Sequence, residues 1–516
     1  MARTYSNPIV TGFFPDPSII RVGEDYYMVN STFEYFPAVV ISHSKDLVHW
    51  EIIGHAITRS DYIDLTGIED SHGFWAPDIS FYNGTFYIMA TLRLNNRDES
   101  GLRSRIRRQV VVKSDRPEGP YSKPVFIDVD GIDPSHFVDD DGTHYMVLSP
   151  GASIVKLNDE CTKALSPKIT VWPGTGERAP EGPHILKKDG YYYAILAEGG
   201  TGYGHRITVA RSRSLFGPYE PSPYNPVMMQ TDPTAPIQRT GHGKLVQTQN
   251  GDWWIAYLCG RPNQGRYTTL GRETALDPVE WTEDGWFMVN KGRGPSLTQV
   301  APDLPETKYE EKYFDDFDGV DLQLYWQFVR NPDNDGWSLT DRPGYLRIYT
   351  SNGQIGQIET RNIIVRREKH FAYKAAAKLE FNPGCAEEEA GLICMYGRHC
   401  SARIFMSKDE GSGNFKVRVV EVRNDVATRL GESEAFSVPV VYLRITVDRQ
   451  VRRFYYSLDN LNWIFVAAVE DATFLCDEGV RIGKHHTGTM VGMYAVNNGT
   501  GGRTPADFDW FDYQFE

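Results

Sequence analysis

Pro15-Asp16-Pro17-Ser18, then Gly23-Glu24-Asp25, then Tyr26-Tyr27-Met28-Val29: a charged residue opens a short strand, a glycine turn follows, and an aromatic-rich strand comes after. The same order of residues returns four times. It reads Pro77-Asp78-Ile79, Asn83-Gly84 and Phe86-Tyr87-Ile88-Met89, then Ile132-Asp133-Pro134-Ser135, Asp141-Gly142 and His144-Tyr145-Met146-Val147. It continues as Pro180-Glu181-Gly182-Pro183, Asp189-Gly190 and Tyr191-Tyr192-Tyr193, and closes as Gly241-His242-Gly243, Asn250-Gly251 and Trp253-Trp254-Ile255. Asn-Gly and Asp-Gly favour positive φ at both central turn positions, so each marks a hairpin. With Asp16, Asp78, Asp133, Glu181 and His242 as openings, the copies lie 62, 55, 48 and 61 residues apart. That period suits one small antiparallel sheet per copy, and a unit unable to bury its own apolar face must stack on its neighbours. The pattern predicts a five-bladed β-propeller. If the openings hold equivalent places, Asp16, Asp133, Glu181 and His242 converge on the axis.

The repeats occupy residues 1–300. Segments that read as third strands recur between the hairpins, at 41–50, 110–121 and 207–219, and two of them close on Gly-Pro-Tyr (Gly119 to Tyr121, Gly217 to Tyr219). The arginine-rich run Arg97 to Arg108 reads as a solvated loop between strands. Residues 301–312, with Pro302 and Pro305 among polar neighbours, read as a linker. From 313 to 516 the propeller wording is gone. Tyr345 to Ile348, Phe415 to Val420, Val441 to Ile445 and Phe454 to Ser457 alternate with period two, which predicts an antiparallel β-sandwich, with Phe508 to Tyr513 as a closing strand.

With 54 Lys and Arg against 68 Asp and Glu, the net charge of −14 argues against nucleic acid as partner and fits a neutral ligand. Aromatic residues make up 13% of the chain, and sugar rings stack on such faces, although a propeller core uses most of them. The six cysteines, at 161, 259, 385, 394, 400 and 476, show no CxxC pair and no metal-ligand rhythm, so free thiols in a reducing compartment are expected. No apolar run of signal-peptide or bilayer length occurs, so no membrane association is expected and the reading is soluble and cytoplasmic.

Cleaving a glycosidic bond calls for two carboxyl groups, one protonated to supply the leaving oxygen and one ionised on the anomeric side. Glu181, between Pro180 and Gly182-Pro183, has apolar neighbours that would raise its pKa and keep it a proton donor. Asp16, held in Pro-Asp-Pro, suits a base that must keep a water still. Asp133 would raise the acid's pKa by like-charge repulsion. For any one of them, Asp before Pro is also a plain turn starter.

Taken with Asn7 to Ser18, Ser31 to Pro37 and His43 to Trp50, these motifs resemble glycoside hydrolase family 43, in the β-xylosidase and α-L-arabinofuranosidase branch that carries a C-terminal sandwich. Phe74 to Asp78, Ile132 to Ser135, Ala179 to Pro183, Gly241 to Gly243 and Leu270 to Thr274 extend the likeness over both regions. The resemblance implies a five-bladed β-propeller followed by a concanavalin-like jelly-roll sandwich, and an inverting mechanism with Asp16 as base, Glu181 as acid and Asp133 tuning the acid. It implies that Arg272 bonds a sugar hydroxyl and that Phe33 and Trp75 wall the terminal subsite. It implies that His242 lies under the pocket, where some members bind a hydrated calcium ion and others need no metal; the chemistry itself requires no cofactor. Lys484 to Met490 resembles a sandwich segment that reaches over the pocket, with small and imidazole side chains where some relatives carry a bulky aromatic.

The expected activity is release of xylose from the non-reducing ends of β-1,4-xylo-oligosaccharides, with arabinofuranosidase side activity. An α-L-arabinofuranosidase acting on arabinoxylo-oligosaccharides and a non-catalytic carbohydrate-binding propeller are the alternatives. A retaining fructosidase is disfavoured, because its Asn-Asp-Pro-Asn and Arg-Asp-Pro motifs are missing from the sequence. The sandwich offers a face for a homo-oligomer.

Overall fold

The computed structural model describes residues 3–95 and 106–515. Five antiparallel sheets of four or five strands follow one another in the order of the chain. Blade I comprises Ser18–Val22, Asp25–Asn30, Ala38–Ser44 and Glu51–Ile57, and blade II comprises Gly73–Tyr82, Thr85–Arg93, Arg107–Ser114 and Val125–Ile127. Blade III runs from Ser135–Val138 to Ile169–Trp172, blade IV from Glu181–Lys188 to Glu220–Pro221 with Met228–Met229 added, and blade V from Gln238–Gln247 to Phe287–Val289.

An apolar cluster fills each gap between blades. Val29 and Ile41 meet Ile79 and Ile88 between I and II, and Met89 meets Met146 between II and III. Ile154 meets Leu196, Val209 meets Ile255, and Trp254 meets Met28 to complete the ring. A ribbon of Thr4–Ser6 against Thr298–Val300 fastens the two ends of the propeller region. The predicted five-bladed propeller is therefore the observed fold.

The hairpin signals divide into two kinds. Asn83-Gly84 and Asp189-Gly190 take positive φ at both residues, as two-residue turns between right-twisted strands demand. At Asp141-Gly142 and Asn250-Gly251 only the glycine is left-handed, because there the loops run 139–143 and 248–252 and the glycine ends a wider turn. The closing tyrosines of Gly-Pro-Tyr are anchored alike: Tyr121 donates to the Pro117 carbonyl at 2.9 Å and Tyr219 to that of Leu215 at 3.1 Å. Of the arginine-rich run, residues 97–105 lie outside the described residues, while Arg107 and Arg108 belong to a blade II strand.

The C-terminal region is a sandwich of two eight-stranded sheets. Its core is built from the inward residues of alternating strands, such as Leu392, Ile404, Val417 and Val419 of one sheet facing Leu443, Ile445 and Phe454 of the other. Leu346–Tyr349 pairs with the start of the closing strand Pro505–Phe515, Leu346 opposite Phe508. One sheet borrows its last strand from blade I: Tyr35–Phe36 pairs with Gln327–Val329, Phe36 opposite Phe328.

The seam between the two regions is partly apolar and partly charged. Phe13, Phe33 and Tyr35 pack with Val365, Met395, Phe405 and Tyr494. Beside them Arg330 bonds Asp70 at 2.7 Å and the Ile68 carbonyl at 2.6 Å, and Asp70 accepts the Arg398 amide at 2.8 Å. On the far side Arg239 reaches Asp477 at 2.5 Å. Burying such charges costs little only when each is paired and hydrogen-bonded, as here.

Candidate active site

The innermost strand of every blade is entered through one backbone form. Asp16, Ala76, Asp133, Gly182 and His242 have φ of 54, 38, 58, 60 and 48°. Each is followed by proline, or by Gly243 in blade V, and then by Ser18, Asp78, Ser135, His184 or Lys244. A left-handed backbone at a non-glycine residue costs on the order of 1–3 kcal/mol and persists where the surroundings enforce it, often at functional sites.

This corrects two of the expected equivalences. Asp78 stands two residues beyond the opening of its blade, and Glu181 one residue before. The ladders shift register at Trp75/Asp78 and at Glu181/His184, and such bulges re-aim side chains. At the true blade IV opening a Cβ on Gly182 would stand 2.9 Å from Nδ1 of His242, so only glycine lets the imidazole lie there.

Two layers of side chains result. The upper one lines a cavity of about 110 Å³ and contains Asp16, Asp133, Glu181, His242, Arg272, Phe33 and Trp75, all seven candidates from the sequence. Asp16 accepts from Arg272 Nη1 at 2.8 Å and from Ser31 Oγ at 2.6 Å. Burial works to raise its pKa, but Arg272, His242 and the Ser31 hydroxyl outweigh it and hold the carboxyl below the usual range. Glu181 has the opposite setting: burial first, then the charge of Asp16, push it up to about 7. Asp133, whose Oδ2 accepts the Gly182 amide at 2.9 Å, is also driven up by burial and then by Glu181. One ionised carboxyl and one retained proton in the same cavity are the two states that acetal cleavage requires.

The other layer is formed by the residues two positions beyond the openings. Lys244 Nζ bonds Asp78 Oδ1 at 2.6 Å, the Ile79 carbonyl at 2.7 Å and Ser18 Oγ at 3.1 Å, while Ser18 also donates to Asp78 at 2.7 Å. Asp78 Oδ2 accepts the His136 amide at 2.9 Å. Despite burial, Lys244 and His184 keep the Asp78 carboxyl below its ordinary value.

These contacts bear on a metal at His242. Calcium takes six to eight oxygen ligands. Nδ1 of His242 has Asp133 Oδ2 at 4.0 Å, and the deeper axial carboxylate is already neutralised by Lys244. Burial holds the imidazole below its usual pKa. The residues around His242 do not form a protein cage for calcium, and among the described residues the group of three potential ligands lies elsewhere, at His136, His144 and Cys161.

Six pocket residues were not singled out from the sequence as site residues: His486, Thr201, His205, Ile132, Ala76 and Leu258. His486, from the Lys484 to Met490 segment, lines the cavity: its amide donates to Ser71 Oγ at 3.0 Å, its carbonyl accepts Arg272 Nη2 at 3.0 Å, and its ring lies 6.0 Å from Trp75 and 6.3 Å from Phe33. Thr201 and His205 come from a glycine-rich blade IV loop, and Ile132 precedes Asp133. His205 is neutral, since burial lowers its pKa to about 3, and its Nδ1 donates to the Arg239 carbonyl at 3.2 Å. Its Nε2 is thereby an acceptor, buried and without a partner among the described residues. The run Gly199-Gly200-Thr201-Gly202 was the available signal for this loop, because glycines cluster where backbone approaches a ligand.

Residues 5–287 match the model of the family described as glycosyl hydrolases family 43, and residues 314–514 that of the beta xylosidase C-terminal concanavalin A-like domain. The crystal structure of the GH43 protein BlXynB from Bacillus licheniformis superposes with a TM-score of 0.96 at 60% identity, covering 99% of this chain and 100% of that one. That of xylan beta-1,4-xylosidase from Bacillus halodurans does so with a TM-score of 0.92 at 36% identity, covering 99% and 100%. The non-reducing end alpha-L-arabinofuranosidase BoGH43B of Bacteroides ovatus is 38% identical over 523 residues, 99% of this chain and 95% of its own length. The likeness is thus carried end to end by both regions, and the chain belongs to glycosyl hydrolases family 43.

Proposed function

We propose that this inverting glycoside hydrolase removes single xylose units from the non-reducing ends of β-1,4-xylo-oligosaccharides. The observation that carries the reading is the opposed setting of Asp16 and Glu181 within one small cavity. Asp16, ionised and held from two sides by Arg272 and Ser31, takes a proton from a water that attacks the anomeric carbon. Glu181 gives its proton to the departing glycosidic oxygen. Asp133, beside the Gly182 amide, helps keep that proton on Glu181 before the reaction. The free Nε2 of His205 and the guanidinium of Arg272 are suited to sugar hydroxyls, and Phe33, Trp75 and His486 to the faces of one ring.

A cavity of about 110 Å³ with His486, Phe33 and Trp75 in its wall favours exo action, because it has room for one sugar at a chain end. The relative from Bacillus halodurans is named a xylan beta-1,4-xylosidase, which supports xylose; BoGH43B is named an arabinofuranosidase, which supports the same pocket accepting arabinofuranosides as a side activity. A calcium ion at His242 would take one nitrogen from the chain and depend on water for its other ligands. Each step above is served by side chains and one water. The six cysteines are unpaired and five of them are buried, which supports a reducing, cytoplasmic setting, and no helix among the described residues is long and apolar enough to cross a membrane. The division at 301–312 and a homo-oligomer through the sandwich belong to the same reading.

Proton NMR of the first-formed product from a β-xyloside tests the mechanism. α-Xylose appearing first is expected; β-xylose first would mean a covalent route and a wrong role for Asp16. Glu181→Ala should abolish hydrolysis of nitrophenyl xyloside and arabinofuranoside, and undiminished hydrolysis would remove the acid assignment. Absence of hydrolysis by the parent protein would favour a binding propeller.

A further inference from the structure

We propose that His136, His144 and Cys161 form a binding site for zinc on blade III, separate from the sugar pocket. His136 stands on Ser135–Val138 and His144 begins the neighbouring antiparallel strand, Val138 facing His144. Cys161 arrives from the turn after Ala152–Lys156, where its amide donates to the Asn158 carbonyl at 2.8 Å and folds the chain back over the strands. Nε2 of His136 lies 2.9 Å from Nδ1 of His144, and Sγ of Cys161 lies 3.3 Å from that Nδ1 and 3.7 Å from that Nε2.

This triangle has the size that a tetrahedral ion demands. With Zn–N of about 2.0–2.1 Å and Zn–S of about 2.3 Å, ligand atoms stand about 3.4 Å apart for two nitrogens and about 3.6 Å for nitrogen and sulfur. The nitrogen pair must open by about 0.5 Å and the sulfur to His144 Nδ1 separation by about 0.3 Å on the same geometry. Two imidazoles and a thiolate favour zinc over calcium or magnesium, which prefer oxygen.

The outer contacts fit as well. His136 Nδ1 lies 2.6 Å from Ser80 Oγ, a partner that takes the ring proton and leaves Nε2 as the lone pair facing inward. Tyr87 packs 4.8 Å from the His136 ring and Tyr82 5.2 Å from that of His144, fixing both planes. His136 is partly exposed, which gives the ion a path from solvent. Without an ion the nitrogen pair shares the proton of His144 Nδ1. On binding, that proton moves to Nε2 of the same ring, the Cys161 S–H bond breaks, and one proton leaves to solvent as the sulfur takes the metal. Desolvation raises the Cys161 thiol to about 12, so it is protonated until the ion arrives.

The test uses the untagged full-length enzyme, stripped with a chelator and dialysed against micromolar zinc chloride, with bound zinc counted by mass spectrometry. One equivalent is expected for the parent, with at least a tenfold weaker affinity for Cys161→Ser and His144→Ala. Cobalt chloride in place of zinc should give a thiolate-to-cobalt absorption band that Cys161→Ser lacks. Cys161→Ala, retaining parental hydrolysis, serves as the variant if serine impairs folding. No zinc retained by the parent, or equal retention by the cysteine and histidine variants, would overturn the site.

Discussion

Arg272 donates from Nη1 to Oδ1 of Asp16 at 2.8 Å, with both side chains almost sealed from water. The pair joins the last blade to the entrance of the first, so ring closure and charge setting are one contact. On the proposed mechanism, with Asp16 ionised and Glu181 protonated, the kcat/KM profile is bell-shaped, its alkaline limb near pH 7 and its acid limb below the ordinary carboxylate range. Arg272→Met should shift the acid limb upward and reduce kcat/KM on the order of 10²-fold. An acid limb that stays in place would separate Arg272 from the ionisation of Asp16.

Asp133 and Glu181 share one cavity with Asp16: the charge of Glu181 adds to burial in raising Asp133, and that of Asp16 adds to burial in raising Glu181. Their titration belongs to the pair. Asp133→Asn, which keeps an oxygen for the Gly182 amide, should move the alkaline limb to lower pH while leaving the acid limb alone. The comparison of both limbs in one profile distinguishes a lost proton donor from a lost fold.

Lys244 beneath the pocket neutralises Asp78, which is 2% exposed. Removing one member of such a pair leaves a buried charge, so Lys244→Met should cost about 3–5 kcal/mol in urea unfolding. Adding Asp78→Asn should recover most of that loss, giving a coupling energy well above zero. Equal losses in the single and double variants would mean that packing, and not charge, is what Lys244 supplies.

Glu34 is buried at the seam, its Oε2 accepting the Ser71 amide at 3.0 Å. Burial, and then the nearby Asp70, raise it from 4.5 to about 8. Below pH 4.5 it is protonated in both folded and unfolded chains. As pH rises towards 8 the unfolded chain loses the proton first, so folding stability falls across that window by a few kcal/mol and then levels off. Glu34→Gln should flatten this part of the stability curve measured by denaturant melts from pH 5 to about 9; an unchanged slope would assign it to other groups.

The propeller was legible because in four of the five blades an Asn-Gly or Asp-Gly turn follows the opening at seven or eight residues, and turn chemistry acts locally. The exact equivalences were not legible, because a bulge is a choice between two ladders. Nothing in Pro180-Glu181-Gly182-Pro183 alone states that Gly182 takes the opening while Glu181 is turned into the cavity. The seven pocket candidates could be named from motif and resemblance, whereas His486 reaches the cavity from more than two hundred residues away in sequence through contacts with Arg272 and Ser71. The His136, His144 and Cys161 group escapes any spacing rule, since two ligands meet by strand register and the third by a loop.

The strand that blade I lends to the sandwich begins at Tyr35, two residues after the pocket wall at Phe33. The distal region is thus a splint on the proposed mechanism: slackening its sheet would loosen the aromatic wall without touching Asp16 or Glu181.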